Sequence, residues 1–141
     1  MFRYVLLAVM IALGATAASV GAGAVSDEER KKTCDKAEKR YQKLFGMASA
    51  DEDVVIVKMY KYTFCPGSIE VKQGATVRWV NVDRRTSHST WFKEAGEPES
   101  DRLFSEEKVE MTFDLPAGIY PYLCGPHWKE EGMIGKVTVV E

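Results

Sequence analysis

The 141 residues carry 19 basic against 21 acidic side chains, and a hydrophobic content of 45% is that of an ordinary globular protein with a modest core. Nucleic-acid binding needs a basic surface that displaces counterions, so a formal charge of −2 argues against that partner class. The length suits one domain, and no internal repeat divides it.

The chain opens with Arg3, the apolar run "YVLLAVMIALGATAASVGAGA" and small residues at Ala22-Gly23-Ala24, the order of charge, apolar stretch and cleavage site found in a secretory signal peptide. Residues 1–24 are therefore expected to be removed on export, leaving a periplasmic or otherwise exported protein with no stable membrane insertion. An uncleaved membrane anchor is the alternative, since the stretch approaches the roughly 20 residues that span a bilayer.

Residues 25–53 read as a helix and linker. Ser26 and Glu29 have capping-box spacing, Gly46 is placed to stop the helix, and Cys34, Ala37, Tyr41, Leu44 and Phe45 fall on one face. "MASADED" follows as a connecting segment. From Val54 the apolar period changes to two. Strands are expected near 54–64, 69–73, 76–81, 88–92, 109–115, 119–124 and 134–140, separated by turn signals at Pro66-Gly67, Gln73-Gly74 and Pro116-Ala117-Gly118. About seven short strands at this spacing predict an all-β domain over 54–141, an antiparallel Greek-key β-sandwich or barrel with an extra amino-terminal α-helix. The stretch "KEAGEPESDRLFS" is expected to be a long polar loop. Its acidic residues read as a solvated loop or as a means of steering a basic partner.

Three cysteines in an exported chain leave one over. If Cys124 is held as a metal thiolate, Cys34 and Cys65 are free to form a disulfide; two unpaired buried thiols are the alternative. The segment "YLCGPHWKEEGMIGKV" brings a thiol, an imidazole and a thioether within ten positions, and the chain's other histidine, His88, would come from an earlier strand. One Cys, two His and a weak axial Met form the donor set of blue-copper electron-transfer sites, whereas structural zinc takes four tight Cys/His ligands. The expected ligands of one copper ion are therefore His88, Cys124, His127 and Met133.

At these residues the chain resembles the cupredoxins, the small type 1 blue copper proteins of plastocyanin, pseudoazurin and amicyanin type. "YLCGPHWKEEGMIGKVTV" is similar to their carboxy-terminal ligand loop, and "FCPGSIEVKQGATVRWVNVDRRTSHSTWF" to the stretch that leads to their first histidine. The resemblance covers about residues 54–141. It implies a Greek-key sandwich with copper near one end, cycling between Cu(I) and Cu(II), with no catalysis of its own. Three features depart from the family pattern. Five residues separate His127 from Met133 where four are usual, and the shorter amicyanin-like loop would put Glu130 at the axial position. Ser89 stands where an asparagine often fastens the two ligand loops, and Gly125 replaces a hydroxyl residue. The third is the helix from about 27 to 45.

The function implied is that of a periplasmic carrier of single electrons between redox protein partners, working as a monomer, with Pro126 and Trp128 beside His127 forming an apolar docking patch. A copper-binding or delivery protein, and a single-copper catalyst with a Glu or open axial position, are the alternatives. Two histidines leave no ligands for a second copper site.

Overall fold

The computed structural model describes residues 25–141, and the expected leader lies outside them. Helix α1 (Asp27–Phe45) begins with the expected capping box: Ser26 accepts from the Glu29 amide and the Glu29 carboxylate accepts from the Ser26 amide. It ends at Gly46, whose φ of 77° lies in the left-handed region that glycine reaches without strain. Phe45 departs from the expected inner face. It is 37% exposed, with its ring tilted against that of Tyr41 at 4.6 Å between centroids.

Seven strands follow: β1 (Val55–Tyr60), β2 (Thr63–Cys65), β3 (Ser68–Lys72), β4 (Thr76–Asn81), β5 (Lys108–Thr112), β6 (Gly118–Leu123) and β7 (Ile134–Val140). They form two facing sheets, ordered β2-β1-β4-β5 and β3-β7-β6. The sandwich is as expected, but its pairing is mixed. β1 runs parallel to β4, with Val57 opposite Trp79, and β3 runs parallel to β7. The chain leaves the first sheet after β2, contributes β3 to the second, and returns as β4 beside β1. A two-residue apolar period reports which face is buried and carries nothing about the direction of a neighbour.

Two expected strands take other forms. The 54–64 stretch is a hairpin broken at Lys61 and Tyr62, with φ values of 46° and 58°. Asparagine and glycine usually mark such a turn, so these residues give no signal; the Asp83 carboxylate holds the Lys61 amide at 2.9 Å. The 88–92 stretch makes only two isolated bridges, His88 with Leu103 and Trp91 with Leu123. His88, Ser89 and Thr90 are buried in succession, which an alternating strand does not allow. The polar loop after it contains a short 3-10 turn, Lys93–Ala95.

The main core lies between the sheets, where Val57, Met59, Phe64, Val77, Trp79, Phe92, Phe113, Tyr122, Val137 and Val139 pack together with Cys124 and Met133. A second cluster sits under the helix, where Ala37 and Tyr41 meet Ile56, Cys65, Val80 and Val82 on the outer face of the first sheet. Strand β1 is thus covered on both sides. This explains why Lys58 is buried: its ammonium reaches through the layer to Glu38 of α1 and to Ser49, at 2.8 Å each. "MASADED" is accordingly a built connection rather than a free linker, with a 3-10 turn at Ser49–Asp51 and Glu52 bonded to Tyr41 and Arg78.

Burial alone would raise the Glu38 carboxyl, but hydrogen bonds from Lys58, Ser49 and Gln42 outweigh it and bring it from 4.5 to about 2. Because the folded value is depressed, this stabilisation is fully present above pH 4.5 and is lost as the pH falls through 2. Urea unfolding of the metal-free protein should show about 2 kcal/mol of this loss between pH 5 and 2, and Glu38→Gln should flatten that limb. At pH 7, Lys58→Met should cost about 2–3 kcal/mol by stranding the carboxylate, and adding Glu38→Met should recover much of it. An acid limb unchanged by Glu38→Gln would contradict this account.

Candidate metal centre

Two loops at one end of the sandwich build the site. Cys124 follows β6, and the segment after it closes on itself: the His127 amide donates to the Cys124 carbonyl at 3.0 Å, the Met133 amide to the His127 carbonyl at 3.2 Å, and the Cys124 amide to the Met133 carbonyl at 3.0 Å. The His88 segment is fixed from both sides. His88 exchanges main-chain hydrogen bonds with Leu103 at 3.1 and 2.8 Å, and Trp91 does so with Leu123 at 2.9 and 3.1 Å. Buried Asn81 adds a tie across the end, donating to the carbonyls of Thr86 and Leu103 at 2.9 and 2.8 Å.

These loops bring His88, Cys124 and His127 together, with one potential ligand atom from each lying within 4.8 Å of the others. Cys124 Sγ is 3.8 Å from His88 Nδ1 and 3.4 Å from His127 Nδ1. One ion bonded to each atom at about 2.0–2.3 Å spans such separations, so the donors fit a metal in both type and spacing. Met133 is buried in the core beside this loop, and Glu130 is exposed and outside the donor cluster. His127 is partly exposed, whereas His88 is fully buried.

The electrostatics keep the imidazoles in their ligating form. Burial first, then the proximity of His127, lowers His88 from 6.5 to about 4, although Asp83 opposes the shift with a carboxylate 3.6 Å from Nε2. Burial and Arg102 lower His127 as well. Both rings are therefore neutral near pH 7 and have a lone pair for a metal. Burial raises the Cys124 thiol, and Ser89, whose amide faces the sulfur at 3.4 Å, partly offsets this. Metal binding must displace that proton, which makes affinity rise with pH.

A family profile described as "Copper binding proteins, plastocyanin/azurin family" matches residues 51–140. The chain belongs to this family of copper-binding proteins. It is 33% identical over 107 residues to plastocyanin from Synechococcus sp. (strain JA-2-3B'a(2-13)), covering 64% of this chain and 76% of that one. It is 36% identical over 86 residues to plastocyanin from Scenedesmus fuscus, covering 54% and 85%. The crystal structure of amicyanin from Paracoccus versutus superposes with a TM-score of 0.55 at 32% identity, over 67% of this chain and 90% of that one. The protein is thus a copper-binding redox protein of cupredoxin type.

Residue patterns alone had left several supports of the site unassigned. Ser89, read as a departure from the family's loop-fastening asparagine, does fasten the loops: its hydroxyl accepts from the Gly125 amide at 2.9 Å, and its own amide points at Cys124 Sγ at 3.4 Å. Glu99, from the polar loop, accepts from the Ser89 hydroxyl at 2.7 Å. Gly125 is required by this arrangement, since a Cβ there would lie 1.9 Å from Glu99 Oε1. Tyr62, on the left-handed hairpin turn, sets its ring edge-on to His127 at 4.9 Å. Ser89 and Gly125 stand out in the sequence as departures from the family pattern, whereas Glu99 and Tyr62 carry no such signal.

Proposed function

We propose that this protein is a type 1 copper electron carrier working in the periplasm as a monomer, in which His88, Cys124, His127 and Met133 would hold the copper. The observation that carries this reading is the His-Cys-His cluster, with His88 and Cys124 buried and His127 partly exposed, in a family of copper-binding proteins. Copper held there would supply a one-electron couple for exchange with redox partner proteins. The chain's own residues hold the donors in place: paired main chains fix His88, and the self-bonded loop fixes Cys124, His127 and Met133. Such support limits movement between oxidation states. The partly exposed His127, with Pro126, Trp128 and Tyr62 around it, is the contact through which partners would dock, in a small and transient interface. Lys93 and Lys129 lie 5.1 and 5.2 Å from the Trp128 ring, so this contact has cations at its rim. Among the described residues no helix is long and apolar enough to cross a membrane.

A second reading, a protein that binds copper and hands it on, draws on the same cluster of one Cys and two His donors, of which His127 is partly open to solvent. Visible and electron paramagnetic resonance spectra with one equivalent of Cu(II) separate the two. A carrier should be intensely blue with narrow copper hyperfine splitting, altered by Met133→Leu and indifferent to Glu130→Gln, and should keep its copper through repeated reduction. A pale site sensitive to Glu130→Gln, or loss of Cu(I) to a thioether-rich peptide, would favour the second.

A further inference from the structure

The hydroxyl of Ser89 has a single proton to give. It donates to Glu99 Oε1 at 2.7 Å and makes no hydrogen bond to the Cys124 sulfur that the Ser89 amide faces. Its oxygen meanwhile accepts from the Gly125 amide, and the Ser89 amide is aimed at the same sulfur at 3.4 Å. Glu99 is held where it can compete. Ser100, next in the chain, takes the Thr90 amide on its hydroxyl at 3.0 Å and gives its own amide to the Thr90 carbonyl at 2.9 Å, so residues 99–103 run as a strap beside the His88 segment. Position 125 has no side chain, and that leaves room for the carboxylate.

We propose that Glu99 is a positioning residue for the copper centre: by holding the Ser89 hydroxyl, it limits the Cys124 thiolate to a single hydrogen bond, from the Ser89 amide. This rests on the electron-carrier reading above and adds to it a residue that lies outside both ligand loops. Hydrogen bonding around the cysteine sulfur is one of the quantities that set the potential of a His2Cys copper site. A donor turned onto the thiolate stabilises its negative charge, weakens its donation to the metal and favours Cu(I). Glu99 therefore keeps the potential lower than the ligand set would otherwise give.

The test is a cycle of Glu99→Ala, Ser89→Ala and the double variant, with Gly125→Ala as an independent way of displacing the carboxylate. In Glu99→Ala and Gly125→Ala, the Cu(I):Cu(II) ratio at a fixed ambient potential should rise about fivefold, the worth of one hydrogen bond, and the sulfur-to-copper band should move to higher energy. In the Ser89→Ala background, Glu99→Ala should change neither. Glu99→Gln, which keeps an acceptor oxygen, should restore most of the wild-type potential. A Glu99→Ala shift that persists undiminished without the Ser89 hydroxyl would show a through-space charge effect and overturn the proposal, as would no shift at all. Amide exchange in the metal-free protein reads the same link without copper: Gly125 should lose protection in Glu99→Ala and keep it in Glu99→Gln. A wild-type protein that is not blue, with Gly125 responding in this way, would sink the carrier reading and leave the Glu99 link standing. Unchanged Gly125 exchange in a blue protein would do the reverse.

Discussion

Cys124→Ser is expected to abolish the intense visible band of the copper-loaded protein and to weaken copper binding by more than about a hundredfold, measured by competition with a chelator. Outer-shell changes at metal sites already cost roughly 10- to 100-fold, and this change removes a ligand outright. Among the described residues Cys124 is the only free cysteine, so no second thiolate can take its place. Serine matches it in shape but offers an oxygen that holds its proton near neutral pH and a harder donor that suits Cu(I) poorly. The fold should survive, because Ser89 and the main-chain bonds of the loop do not depend on the sulfur alone. A Cys124→Ser protein that stayed blue would remove the basis of the proposed site.

The second large effect concerns stability. Cys34 and Cys65 form a disulfide that joins α1 to β2 across 31 positions. Closing a loop of that length restricts the unfolded chain enough to stabilise the fold by about 3–4 kcal/mol, and native disulfides of small exported domains typically contribute 2–5 kcal/mol. The Cys34→Ser/Cys65→Ser variant should therefore lose about 3 kcal/mol in denaturant unfolding. Its copper spectrum should remain that of the wild type, because the helix rests on the outer cluster of Ile56, Val80 and Val82, whereas Cys124 and Met133 belong to the core between the sheets. A changed spectrum would mean that the helix sets the geometry of the metal centre through β2 and the Tyr62 turn.

This chain's local chemistry was written in local patterns. The capping box and Gly46 delimited α1 because caps satisfy backbone groups within four residues of the helix end, and alternation located most strands because it records burial of one sheet face. The three donors of the metal cluster were legible for another reason. Few residue types carry soft donors, and this chain has only two histidines.

What the sequence by itself determined, then, was the helix, most of the strands, the class of fold and the identity of the donor side chains, since each depends on residue type or on spacing of a few positions. Only the tertiary structure decided the parallel pairing of β1 with β4 and of β3 with β7, the split of 54–64 at two left-handed residues without glycine, and the pinning of 88–91 between Leu103 and Leu123. It likewise decided the burial of Lys58 against Glu38 and the chain of contacts from Glu99 through Ser89 to the Cys124 sulfur. Those features arise where segments distant in sequence meet in the folded chain. There a buried polar group must find its partner among whatever the fold brings near, and residue type at one position does not encode which partner that will be.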